Sequence, residues 1–63
     1  MTRRELITAC VEYQIAIGVV KPEYKEKQIK WRLNGHGGIE AMSKADCESW
    51  YKKVLEKQGG AKK

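Results

Sequence analysis

Three glycines within four residues, Gly35-His36-Gly37-Gly38, sit near the middle of the chain, where regular secondary structure is hard to sustain. An earlier break is marked by Gly18 and, four residues on, the single proline, Pro22. Together they divide 63 residues into three short segments. A chain of this length is one domain at most. Its apolar burial and chain entropy nearly cancel, so stability calls for a staple, dense helix packing or a partner subunit.

The first segment opens on Thr2-Arg3-Arg4-Glu5, which fits a capping box: hydroxyl and carboxylate each satisfy an orphan backbone amide. Helical periodicity predicts a first helix over 2–18. Leu6, Ala9, Cys10, Tyr13, Ala16 and Ile17 share one face, with Ile7, Val11 and Ile15 outside it. A helix apolar over most of its circumference must be covered on more than one side, which points to a homodimer through this helix.

Pro22 suits the first turn of a second helix, where its missing amide costs nothing. The run to Leu33 is rich in Lys, Glu and Gln, all good helix formers, and Asn34-Gly35 is a fitting end. A competing pattern runs through the same residues. Ile29, Trp31 and Leu33 alternate with Lys30 and Arg32, as in a strand, and a partner strand over 39–42 would close a hairpin at 27–42. The composition favours the helix.

Ser43-Lys44-Ala45-Asp46 is a good N-cap with an acid in the first turn. From there Cys47, Trp50, Tyr51, Val54 and Leu55 fall within an arc of about 140° on a helical wheel. This third helix is expected to stop at Gly59-Gly60. The expected fold is therefore all-α: three helices over 2–18, 22–34 and 43–58, with a Gly-rich loop at 35–42. Residues 1–58 form the domain and 59–63 a flexible basic tail. The runner-up is α-β-β-α with a central hairpin. The expected core is Leu6, Cys10, Tyr13, Ile17, Ile29, Leu33, Trp50, Val54 and Leu55.

Nothing in the inventory points to catalysis, which needs convergent groups of shifted pKa. His36, the only histidine, reads as a solvated loop residue. Cys10 and Cys47 could form one bridge but read as small buried hydrophobes. Their spacing from His36 is not that of a zinc site, so no metal or cofactor is expected. The Gly35–Gly38 loop lacks the Lys-Ser/Thr ending and βαβ setting of a phosphate cradle. No apolar run reaches membrane-spanning length, and no secretory leader is visible, so the expected setting is cytoplasmic.

Charge is more informative. The chain carries +5, and residues 21–36 hold +3 of it, with Lys21, Lys25, Lys27, Lys30 and Arg32 against Glu23 and Glu26. Lys62 and Lys63 supply the rest. Basic residues around an aromatic suit phosphate contact with stacking, so Lys25, Lys27, Lys30, Trp31 and Arg32 are the candidate nucleic-acid-binding residues. A helix-turn-helix is disfavoured, because its two helices are joined by only about 3–4 residues and nine separate Leu33 from Ser43 here.

The alternative is a protein-binding adaptor or inhibitor that presents Trp31 and Tyr24. Two Trp and three Tyr are more rings than so small a domain can bury fully. Size, basic charge and the lack of catalytic groups are compatible with a phage-borne or mobile-element accessory protein.

Overall fold

The computed structural model describes residues 1–60, and its described elements are helical. Helix α1 spans Arg3–Ala16, a single 3-10 turn spans Pro22–Tyr24, α2 spans Lys25–Asn34 and α3 spans Lys44–Gly60. No strand forms among the described residues, which makes this an all-α three-helix domain.

The ends of α1 follow from local chemistry. Thr2 Oγ1 accepts from the Glu5 amide at 3.1 Å, and Glu5 Oε1 accepts from the Thr2 amide at 2.7 Å, completing the capping box. At the other end Gly18 takes φ +82°. Its amide donates to Ile15 O at 3.1 Å and the Val19 amide to Gln14 O at 2.8 Å, the paired bonds of a Schellman stop. The helix therefore closes earlier than the expected span.

Pro22 opens a 3-10 turn that leads into α2. Gly35 ends α2 at φ +84°, and a side chain there would also meet Ile39 O at 3.2 Å and Ala41 N at 3.3 Å. Glycine is required at this position on both counts. The hairpin alternative is overturned, because Ile29, Trp31 and Leu33 all lie within α2. One rung of it survives. His36 and Ile39 exchange backbone hydrogen bonds of 2.9 and 2.8 Å around Gly37-Gly38. A single rung cannot outweigh ten residues of good helix formers.

Ser43 Oγ accepts from the Asp46 amide at 3.1 Å, as expected for the start of α3. That helix continues through Gly59 to Gly60, past the expected stop at 58. Of the expected tail, Ala61, Lys62 and Lys63 lie outside the described residues.

The helices run up, down and up. Lys25 at the start of α2 pairs with Glu12, while Leu33 near its end meets Arg3, so α1 and α2 are antiparallel. Glu48 and Tyr51 line a cleft with Leu6, and Lys57 lines another with Ile17, so α3 runs parallel to α1. Helix α1 packs against both others.

This arrangement corrects the expected core. Leu6, Ile7, Cys10, Val11, Ile29, Cys47 and Val54 are buried. Ile7 and Val11, expected off the inner face, are fully enclosed because α2 covers the flank of α1 that α3 leaves open. Ile17 is 53% exposed because α1 has ended before it, and Leu55 is 46% exposed on the flank of α3. Tyr13, Leu33 and Trp50 are only half-buried. Of the apolar positions around α1, Leu6, Ile7, Cys10 and Val11 are buried within the fold, Ala9, Tyr13 and Ile15 are half-buried and Ala16 is exposed.

Arg3 fixes the connector. Its Nε donates to Met42 O and its Nη2 to Leu33 O, both at 2.8 Å. The Met42 amide donates to Arg32 O at 2.8 Å. One guanidinium thus satisfies a C-terminal carbonyl of α2 and ties the loop back onto α1.

Candidate nucleic-acid interface

The five basic and aromatic residues singled out in the sequence all lie on α2, which sorts them by side. Lys25, Ile29, Arg32 and Leu33 recur at helical spacing on the face turned toward α1, with Ile29 1% exposed. Lys27, Lys30, Trp31 and Asn34 recur at the same spacing on the opposite face.

The inward pair is already engaged. Lys25 Nζ lies 2.8 Å from Glu12 Oε2. The Arg32 guanidinium lies 5.0 Å from the Trp50 ring centroid, a cation–π geometry, and its Nε is buried without a hydrogen-bond partner among the described residues. Both side chains are half-buried and unsuited to reaching a phosphate.

The outward group is different. Lys27 and Lys30 are exposed, and neither is ion-paired with a carboxylate among the described residues. Trp31 is half-buried and stacks on the exposed His36 ring, with centroids 4.8 Å apart and planes 10° from parallel. Lys27 Nζ stands 5.6 Å from the centroid of Tyr24, itself 43% exposed. The arrangement is a strip of aromatic surface bordered by two unpaired cations. A shallow cleft of about 250 Å³, lined in part by Lys27, Lys30 and Asn34, runs beside it. Arg4 and Glu26 close its far edge with a 3.2 Å ion pair.

Two members of this surface, His36 and Tyr24, lie outside the expected nucleic-acid-binding set, although Tyr24 is one of the two rings expected to meet a protein partner. His36 is exposed, as expected of a loop residue, and it also covers one face of Trp31. The signal for it was Gly35, whose positive φ turns the chain back along the helix it has just left. Tyr24 could have been found from its spacing of three from Lys27.

The remaining titratable features are structural. Glu5 is held below the ordinary carboxylate value, first by the Thr2 amide and then by the Thr2 hydroxyl. The Cys10 thiol is pushed up from 9.0 to about 11, chiefly by burial and next by neighbouring Cys47, with Arg32 opposing. Both cysteines are fully enclosed free thiols. Among the described residues no group of three His, Cys, Asp or Glu side chains could hold a metal ion, and no helix is long and apolar enough to cross a membrane.

No protein-family model matches the chain, and neither a curated protein nor a solved structure is significantly similar to it.

Proposed function

We propose that this is a non-enzymatic, cytoplasmic accessory protein that binds nucleic acid through the outward face of α2, with single strands favoured over duplex. The observation that carries this reading is the shared face of Lys27, Lys30 and the Trp31–His36 stack. Cations without a carboxylate partner suit a phosphate backbone, and the exposed His36 and Tyr24 rings beside half-buried Trp31 suit unstacked bases. Duplex readout through a recognition helix has less support. Nine residues separate α2 from α3, and the outward side of α3 mixes Lys52 and Lys53 with Glu48 and Glu56.

The reading narrows the contact set to Lys27, Lys30, Trp31 and His36, with Lys25 and Arg32 assigned to the fold. Its test is fluorescence anisotropy of a labelled single strand and a labelled duplex, titrated at about 50 and about 200 mM salt. Single-strand binding that weakens steeply with salt, and weakens again when Lys27 and Lys30 become Ala, supports it. Absence of binding at the lower salt refutes it and favours the adaptor reading, in which Tyr24 and Trp31 meet a protein partner.

A further inference from the structure

The bundle is open at the end where α1 stops. Helix α1 finishes at Ala16, α2 begins level with Glu12, and α3 continues to Gly60, so the last turns of α3 have neighbours on one side only. The result is a cleft of about 230 Å³ between Tyr13, Ile17 and Val19 on one side and Trp50, Lys53 and Lys57 on the other. Its walls mix aliphatic Ile17, Val19 and Val54 with the rings of Tyr13 and Trp50 and with Gln14, and the most open of them are Ile17 at 53% and Val19 at 65% exposed.

Its rim carries one sign of charge. No carboxylate lines the cleft, and Lys53 and Lys57 lie within 4.0 Å of none among the described residues. Two lysines four apart on a helix repel each other, and an anion between them relieves that repulsion. Arg32 adds a third cation behind the Trp50 ring at 5.0 Å.

We infer that this cleft binds an amphipathic anion, an unbranched aliphatic carboxylate. The alkyl chain lies against Ile17, Val19 and Trp50, and the carboxylate sits between Lys53 and Lys57. Apolar burial holds the chain, and the paired ammonium groups select the charged head. A nucleotide fits less well. The two most exposed wall residues, Ile17 and Val19, are aliphatic, the Tyr13 and Trp50 rings are half-buried, and Arg32 already occupies one face of Trp50. The cleft is below the usual size for a drug-sized ligand, which suits one extended chain. This site is separate from the outward face of α2 and does not depend on strand binding there.

The test uses the full chain carrying Trp31→Phe, which leaves Trp50 as the only tryptophan, and follows its fluorescence. Decanoate, decanol and inorganic phosphate are titrated in turn. The expected result is a saturable shift with decanoate below its aggregation threshold, a much weaker response to decanol and none to phosphate. Lys53→Ala with Lys57→Ala should weaken decanoate about tenfold, and the same pair in the chain that keeps Trp31 should leave single-strand affinity intact. Equal responses to decanol and decanoate, an unchanged affinity in the double variant, or no saturable response would each overturn the proposal. Circular dichroism of the double variant, whose two lysines are exposed, checks that the fold is retained.

Discussion

Lys25 and Arg32 on one side of α2, and Lys27 and Lys30 on the other, are similar residues within one short helix. Their surroundings divide them. The inward pair meets Glu12 and the Trp50 ring, whereas the outward pair borders Tyr24, Trp31 and solvent. A cation half-buried against a carboxylate or an aromatic ring contributes to stability and is poorly placed to reach a ligand. An exposed cation with no carboxylate partner is free to meet a phosphate. Counting basic residues along α2 therefore overstates the binding surface, and the helical repeat corrects the count.

The comparison yields an ordered set of expectations. The largest effect belongs to Ile29, at the centre of the inward side. Ile29→Ala should cost about 2–5 kcal/mol, enough to unfold so small a domain, as read by urea denaturation. Near-normal stability in that variant would mean that the inward side is misassigned. On the outward side, Trp31→Ala should remove about 1–3 kcal/mol of single-strand affinity and lower stability by clearly less than Ile29→Ala does. A large loss of stability instead would move Trp31 into the core.

Arg32→Ala should destabilise the fold by about 1 kcal/mol through the lost cation over Trp50, with no change in the salt dependence of strand binding. It also has a spectroscopic signature. Because Arg32 opposes the upward shift of Cys10, its removal should raise that thiol further, while Lys27→Ala should not move it. Thiolate absorbance against pH distinguishes the two. With a folded value near 11 against 9.0, stability from Cys10 is fully present below pH 9 and is lost as pH rises from there toward 11. Cys10→Ala should flatten that part of the stability profile. The smallest expected effect is Lys25→Ala, within about 0.5 kcal/mol, since its ion pair is partly exposed.

Much of the fold was legible in the sequence because its boundaries are set by local chemistry. Thr2 and Glu5, Gly18, Gly35 and Ser43 each act on neighbouring backbone groups, and each does what its residue type implies. The core was only partly legible. Periodicity shows that α1 has an apolar side, but Leu6 and Ile17 both lie on it while Ile7 and Val11 lie outside it. Only the placement of α2 and α3 decides which of them is enclosed.

The candidate surface was legible as composition and not as geometry. The segment Lys25 to Arg32 was found from its charges and tryptophan, yet the same spacing that makes it a helix turns Lys25 and Arg32 inward. His36 joins Trp31 through a glycine-dependent reversal of the chain, a contact that no periodic pattern encodes.

The division of α2 is tested most directly by two double variants measured side by side for single-strand affinity and for stability to urea. The account predicts that Lys27→Ala with Lys30→Ala lowers affinity and reduces the salt slope by about 1.4, two phosphate contacts, while the unfolding midpoint stays near that of the parent. Lys25→Ala with Arg32→Ala should lower the midpoint and retain both affinity and slope. The opposite pattern, or equal losses of affinity in the two variants, would contradict it.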